Sequence, residues 1–417
     1  MDVTGFFSGA GWHAPLGEAG LAQAVQAMYQ ARLALAAMDI EARLAAMTQL
    51  AAGLGASDWA AGAEACGCSA ATLAFGFGEL ERCWQPDAMR RFLATELPQE
   101  HPHWRPLLPQ RLAMVLAATV PPAGIQATML PVMAGVPVLV RAAARLQPLM
   151  RAFLEVLARC APALAPAVIL AHFPSSDLDS AAAMAAAGDA IVVHGSARAV
   201  AQWQRLARPH QIFVPYGHRI SAAYLGADPE PTPAILSDLA LDLCLWDQYG
   251  CLSPQALYLQ GDAKDAAEVA RQLAHHALPP LEARFPLGPL DAAARAHRRS
   301  YIQNALLDAH AFTAPGGATI LAYPSAQPLT PSCGARVLPV YPVADLDDLI
   351  PHLSAAAPHL QCLGMAGATL TPQRLATLTL AGLNRVCPLG HMQRPPLSWR
   401  HDGIGTLAPL VRWVSLA

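Results

Sequence analysis

The chain has 417 residues, 54% of them apolar and 14% charged, with a formal net charge of −3. That length suggests two domains or one large α/β unit, and the apolar content suffices for a large core. Lys and Arg are scattered without a basic stripe, which argues against a nucleic-acid binder. Every apolar run of about 18 residues is broken by a charge, Pro or Gly, which argues against a membrane span.

The opening segment MDVTGFFSGAGWHAPLGEAG has no basic region followed by an apolar stretch. It does not read as a signal peptide, so a cytoplasmic protein is expected. Its Gly9–Gly11 run follows no strand and opens no clear helix, so it is not a dinucleotide fingerprint. Residues 18–54 carry Ala, Leu and Met with charges at helical spacing and predict two amphipathic helices broken near Met38–Asp39. Pro86–Glu96 predicts a helix with Pro86 at its first position. HPHWRPLLP (101–109) is a proline-punctuated connector.

From Arg111 the pattern alternates. RLAMVLAA is a strand ending in the turn TVPPAG, IQATMLPVMAG a helix, and VPVLVRAA a strand. LMRAFLEVLARCAP, Asp177–Ala187 and SARAVAQWQRLA read as helices, and AVILAHF, DAIVVHG and QIFVPYG as strands. Strands alternating with helices imply a doubly wound parallel sheet. PEPTP (229–233) reads as a hinge or loop. A second α/β segment follows, with a helix over 234–246, the strand ALYLQG, a helix over Ala263–His276, and the strands VLPVYPV and LQCLGMAG.

Nine cysteines, an odd number without a CxxC pair, give little support to a disulfide framework or a zinc site. The pairs His101/His103 and His275/His276 lack the spacing of a metal motif. Cys251 differs from the other cysteines. It lies in WDQYGCLSPQ (246–255), a polar turn after the apolar run LALDLCLW. Gly250 permits close backbone approach, and Ser253 and Pro254 stop a helix from running through. A thiolate on such a turn can attack a carbonyl while its own N–H helps hold the oxyanion. A packed loop cysteine is the alternative. Gly195–Ser196, where a strand ends and a helix begins, offers free N–H groups to a cofactor phosphate, or is a plain turn with Ser196 as N-cap. Arg141, at the end of VPVLVR, is a strand-end cation able to pair with a 2′-phosphate, or a solvated surface arginine. No GxSxG, Walker A or HExxH motif is present.

Together these segments resemble the acyl-CoA reductase family typified by the bacterial luminescence fatty-acid reductase LuxC, within the aldehyde dehydrogenase superfamily. WDQYGCLSPQ resembles its nucleophile segment and ATVPPAG (118–124), with Thr119 and Pro121, its cofactor-side loop. GVPVLVRAA (135–143) resembles its next strand and cofactor-binding cation, and DAIVVHGS its Gly-Ser turn. VPYGHRIS (214–221) resembles the segment before the catalytic domain, and RPPLSWRHDG (394–403) the closing motif. The likeness covers roughly residues 85–415.

The resemblance implies an aldehyde-dehydrogenase-like fold of two doubly wound α/β domains with the active site in the cleft between them. An NADP-binding domain with N-terminal helices would span 1–226, a catalytic domain 227–395, and a tail packing at the interface 396–417. It implies NADPH-dependent reduction of an acyl thioester, on coenzyme A or an acyl carrier protein, to an aldehyde, as in a long-chain acyl-CoA reductase. Cys251 would be the nucleophile, Thr119 would stand where an oxyanion-hole Asn is usual, and His218 would contact cofactor or substrate. Arg141, Gly195, Ser196 and Pro121 would bind NADPH. A hydrogen-bonded His401–Asp402 pair would orient a proton donor or pack the tail. A homodimer or homotetramer, with an acyltransferase as a possible partner, is the implied assembly. VPYGHRIS lacks the carboxylate that activates water in hydrolytic relatives, which speaks against an aldehyde-oxidising dehydrogenase. Thr119 favours the further alternative of a non-catalytic scaffold.

Overall fold

A computed structural model describes residues 5–8, 11–13, 18–97, 103–228 and 231–416. Gly9 and Ala10 of the Gly-Ala-Gly run, His101, and Pro229 and Glu230 of the expected hinge lie outside the described residues. In chain order the strands are β1 (Gly5–Ser8), β2 (Gly11–His13), β3 (Trp104–Leu107), β4 (Leu112–Leu116), β5 (Val138–Ala142), β6 (Val168–His172), β7 (Ala190–His194), β8 (Ile212–Tyr216), β9 (Ile220–Leu225), β10 (Pro254–Gln260), β11 (His310–Thr313), β12 (Thr319–Ala322), β13 (Val337–Val343), β14 (Leu360–Ala366), β15 (Arg385–Pro388) and β16 (Arg412–Ser415).

The chain forms two compact units. The first comprises Met1–Cys66, Leu73–His218 and Pro396–Ala417; the second comprises Gly67–Thr72 and Arg219–Pro395.

In the first unit the described sheet has the order β2-β1-β6-β5-β4-β7-β8. Strands β4 to β8 pair in parallel, and β1 is antiparallel to β2 and β6. The chain builds outward from β4 through β5 to β6, then returns to the other side of β4 for β7 and β8. The order therefore reverses between β4 and β7, where open α/β sheets bind ligands at their carboxyl ends. Strand β4 is buried along its whole length, as a central parallel strand covered on both faces must be. Helices Pro121–Met133, Gln147–Cys160, Leu178–Ala187 and Ala197–Leu206 make the crossovers. The Asp177 and Ser196 side chains cap two of them by accepting from the N–H groups of Ser180 and Ala199. The N-terminal helices Glu18–Ala37 and Ile40–Gly55 break where the Met38–Asp39 spacing predicts.

The second unit has the order β11-β12-β13-β10-β9-β14-β15, parallel throughout except at β11. Strand β9 is fully buried at its centre. The expected domain limit after residue 226 left this strand in the first domain; it belongs to the second sheet, and the chain passes between units at His218–Arg219. Its Ser-Ala-Ala stretch has weak β propensity, and only burial between β10 and β14 makes it a strand. The helix expected over 234–246 is Pro233–Cys244, because Leu245 is extended and Trp246 to Gln248 turn left-handed. The helix expected over Ala263–His276 stays regular to Gln272 and widens into a π turn over Leu273–Ala277. Among the described residues no helix is long and apolar enough to cross a membrane.

Candidate functional site

The second unit builds an unusual support under Cys251. Three consecutive non-glycine residues, Trp246, Asp247 and Gln248, have φ of 58°, 50° and 67°. Left-handed backbone costs such residues about 1–2 kcal/mol each and persists only when the surroundings impose it. The expected conformational role of Gly250 thus falls on 246–248.

What imposes the turn is buried polar bonding. The Asp247 carboxylate, 4% exposed, receives Nε of the fully buried Arg336 at 2.9 Å and the Gly288 N–H at 3.0 Å. Arg336 and its neighbour Ala335 are left-handed too, at φ 60° and 51°. Burial outweighs the Arg336 charge and holds the Asp247 carboxyl above the usual range. The Gln248 amide donates to the carbonyls of Pro254 and Val337, both at 2.9 Å. Gln255 donates back to the Gln248 carbonyl at 3.1 Å.

Beyond this support the chain reaches Cys251, which is half-buried. Its carbonyl accepts from Ser221 Oγ at 2.7 Å, and Ser221 Oγ in turn accepts the Cys362 N–H at 3.2 Å. Ser221 can do both because β10 and β14, the neighbours of β9, each bulge beside it. Pro254 to Leu257 spans three residues against two on β9, as does Leu360 to Leu363. Bulges of this kind re-aim backbone groups next to functional sites. The Ser253 N–H closes the turn on the Gly250 carbonyl at 3.0 Å.

None of the nine cysteines is in a disulfide. Cys83, Cys244, Cys333, Cys362 and Cys387 are buried; Cys66, Cys68, Cys160 and Cys251 are partly exposed. Burial pushes Cys66 up to about 11 and Cys244 up to about 12, which makes them poor nucleophiles.

In the first unit the other site residues gather at the carboxyl edge of the sheet. Thr119 is exposed and Pro121 buried, just past β4. Pro121 and Pro122 open the helix and carry no N–H, and the N–H groups of Ala123 and Gly124 already bond the Val120 carbonyl. This helix start is therefore a poor anion cradle. The one after β7 is better suited: Ser196 is exposed and caps the helix, and Gly195 is half-buried. Arg141 lies at the carboxyl end of β5. Its guanidinium sits 5.3 Å from the Phe173 ring centroid, and NH2 donates to the Phe173 carbonyl at 3.4 Å. Burial lowers its pKa. It is thus not the solvated surface arginine of the alternative reading. His218 is exposed in the segment that leads out of the unit.

The tail adds to this edge. His194, Tyr216 and His401 stack nearly parallel, with centroids of 4.6 Å for each His–Tyr pair and 5.8 Å between the histidines. The Tyr216 hydroxyl donates to the Gly405 carbonyl at 2.5 Å, and burial pushes this phenol far up. His401 Nε2 lies 3.5 Å from the Asp402 carboxylate. Burial and the His401 charge drive His194 down to about 3, so its imidazole is neutral at neutral pH. Glu96, 3% exposed, anchors the tail by accepting the N–H groups of Thr406, Leu407 and Ala408 at 2.8–3.0 Å. Strand β16 then pairs antiparallel with β3.

The sequence points to Trp246, Asp247 and Gln248 as the residues that shape the Cys251 turn, but it does not mark Arg336, Ser221, Glu96 or the three-ring stack. Ser221 and Tyr216 lay inside the quoted VPYGHRIS segment, but nothing in the sequence marked them. Thr119 and Cys251 belong to different units.

A family model described as acyl-CoA reductase (LuxC) matches residues 78–413. Solved structures of similar fold include an NAD-dependent benzaldehyde dehydrogenase from Corynebacterium glutamicum, at 13% identity and a TM-score of 0.72, covering 100% of this chain and 99% of that one. Aldehyde dehydrogenase C from Pseudomonas syringae, a Cys-to-Ala mutant with NAD+ and octanal, matches at 16% identity and 0.71, with coverages of 100% and 96%. Succinic semialdehyde dehydrogenase from Streptococcus pyogenes with NADP+ matches at 16% and 0.72, with 96% of each chain covered. No curated protein sequence matches. The fold is aldehyde-dehydrogenase-like.

Proposed function

Because the chain belongs to the acyl-CoA reductase (LuxC) family, we propose that it reduces an acyl thioester to an aldehyde through an acyl-Cys251 intermediate, with NADPH as reductant. The observation that carries this reading is the turn at Cys251: a partly exposed thiol whose own carbonyl is pinned by Ser221 and whose approach is fixed by three left-handed residues. So much imposed geometry is expected where a nucleophile must meet an electrophile along one trajectory.

In the first half-reaction Cys251 Sγ bonds to the thioester carbonyl carbon, and the carrier thiol leaves with the proton that the cysteine loses. In the second half-reaction NADPH, when bound, supplies hydride to the acyl carbon. Proton uptake on oxygen and cleavage of the C–Sγ bond then release the aldehyde and return the thiol. The VPYGHRIS segment carries no carboxylate, and the Tyr216 phenol, pushed up and donating to Gly405, is no base for water. This supports reduction over hydrolysis.

A dinucleotide fits the first unit. The N–H groups behind Ser196, at the point where the strand order reverses, suit its phosphates. The Arg141 cation, whose Nε is buried without a partner, suits a 2′-phosphate. In this reading the first unit is the cofactor domain and the second the catalytic domain. Thr119 offers one hydroxyl where a longer amide is usual, and losing such a donor costs about 10²–10³ in rate. The reading also takes the acyl group from coenzyme A or a carrier protein and the protein as a cytoplasmic homo-oligomer.

The test is acylation without reductant. Wild type and Cys251→Ala are incubated with acetyl-, octanoyl- and palmitoyl-CoA and mapped by intact and peptide mass. An adduct on Cys251, absent in the variant and released as aldehyde on adding NADPH, is the expected result. No adduct with any thioester overturns the proposal and favours a scaffold.

A further inference from the structure

Asp242 is the lone charge in the apolar run LALDLCLW, and it is fully buried. A buried carboxylate is costly unless bonded, and this one is bonded to a single loop. Oδ2 accepts the Gly390 N–H at 2.6 Å, and Oδ1 accepts those of Met392 at 3.1 Å and Gln393 at 3.4 Å. Arg385 grips the same loop by its carbonyls, donating to Met392 at 2.7 Å and His391 at 2.8 Å. Gly390 has φ +78°, and a Cβ there would sit 2.7 Å from Asp238 Oδ1, so the loop has little freedom to re-form differently.

The loop so clamped delivers one side chain to the nucleophile turn. Gln393 Nε2 donates to Ser253 Oγ at 3.0 Å, and Ser253 is the residue whose N–H closes the turn around Cys251. Ser253 is itself fully buried. The contacts thus run from the Asp242 carboxylate through the 390–393 loop and Gln393 to Ser253 and the Cys251 turn.

We propose that Gln393 and Asp242 are positioning residues for Cys251, holding its turn in the geometry that accepts an acyl group. This rests on the acyl-cysteine reading above. Asp242 also makes the clamp sensitive to pH. Burial pushes its carboxyl up to about 7, against the three N–H groups and Arg385 that pull it down; Cys362, Cys387 and Asp238 are the other titratable groups facing it. The ionised form offers lone pairs to all three N–H groups. The neutral form turns one oxygen into a donor and loosens the loop.

The test measures two rates at Cys251 in wild type, Gln393→Met and Asp242→Asn: single-turnover acylation by acetyl-, octanoyl- and palmitoyl-CoA, and alkylation by iodoacetamide. Both need the thiolate, so their ratio cancels thiol ionisation. In both variants acylation at saturating thioester should fall about 10–100-fold with unchanged half-saturation, while alkylation rises as the turn loosens. In wild type the ratio should fall as pH drops through about 7, and in Asp242→Asn it should be flat. Gln393→Met carries the test if Asp242→Asn does not fold. Unchanged acylation and alkylation in Gln393→Met overturns the proposal. If wild type is acylated by none of the three thioesters, the reductase reading fails, and the alkylation rates still decide whether the clamp exists.

Discussion

Replacing Arg336 by Met tests whether the buried ion pair sets the turn at Cys251. The substitution keeps most of the volume but strips the Asp247 carboxylate of its cation, leaving the Gly288 N–H as its other bond. Breaking a buried pair by removing one partner typically costs about 3–5 kcal/mol. The loss has a ceiling, because Asp247 can instead take up a proton. Holding an Asp neutral near pH 7, against an unfolded value of about 3.9, costs about 1.36 × 3.1, or roughly 4 kcal/mol. Near pH 5 the same ceiling is only about 1.5 kcal/mol. The sign follows from proton counts. In the variant the folded state keeps a proton that the unfolded state releases above about 3.9, so the penalty grows as pH rises. At roughly 2–4 °C per kcal/mol for a unit of this size, the melting temperature should drop by about 8–16 °C near pH 7 and by a few degrees near pH 5. Calorimetry of wild type, Arg336→Met and the double variant with Asp247→Asn measures this. Asn tolerates the left-handed conformation at 247 and carries no charge to strand, so the double variant should recover most of the loss near pH 7. A penalty independent of pH, or a double variant no more stable than the single one, would refute the ion pair as the cause.

The N–H groups of Thr406, Leu407 and Ala408 all bond one Glu96 oxygen, so Glu96→Gln keeps an acceptor for them but removes the charge that strengthens the three bonds, and should destabilise the first unit by about 1–2 kcal/mol. Hydrogen exchange at residues 406–408 should accelerate; unaltered protection there counts against Glu96 as the anchor. Gly405→Ala should act in the same direction, since its φ is +95° and a Cβ would meet the Glu96 carboxylate at 2.6 Å. His194, driven down to about 3, should show no imidazole titration by NMR between about pH 5 and 8. Its folded value lies below the unfolded one, so the stability it contributes is present above about 6.5 and is lost as pH falls toward 3. His194→Gln should flatten that acid limb, and an unchanged limb would assign acid unfolding to other groups.

The crossover strands β4 to β8, β10, β13 and β14 were legible because each is a short apolar run bounded by turn residues. Strand β9 was not, although it lies between β10 and β14, because ISAAYL is read correctly only when its neighbours are known. The site divided along the same line. Cys251, Gly195–Ser196 and Arg141 stand at turns and strand ends, where local sequence betrays them. The groups that hold the site are single charges in apolar surroundings, and their partners are remote: 89 residues from Asp247 to Arg336, 148 from Asp242 to Gly390 and 310 from Glu96 to Thr406. Spacing cannot reveal such pairs. An isolated buried-type charge such as Asp242 in LALDLCLW announces only that a partner must exist.

The two sheets present opposite edges to their chemistry. In the first unit Thr119, Arg141, Gly195 and Ser196 stand at carboxyl ends, where crossover helices begin and their N-terminal N–H groups favour anions. In the second, Cys251 precedes β10 and Ser221 lies at the start of β9, so the nucleophile proposed above would stand at the amino edge, where crossover helices end and their dipoles disfavour negative charge. A thiolate there gains nothing from helix dipoles and must be served by its own turn. That accounts for the concentration of fixed, hydrogen-bonded polar side chains around residues 246–255. Ser221, Asp247, Gln248, Ser253 and Gln255 are all buried; four of them bond backbone groups through their side chains, and Ser253 Oγ accepts from the Gln393 amide. The division also fits where most of the left-handed strain sits: among the described non-glycine residues it falls at 246–248 and 335–336 in the second unit and at Asp402 alone in the first, whose helix starts rely on ordinary caps. On the proposed reading, binding an anion would need only helix N-termini, which the fold provides, whereas aiming a nucleophile would need a backbone path the fold does not provide; the Asp247–Arg336 pair holds the left-handed path at 246–248 in place.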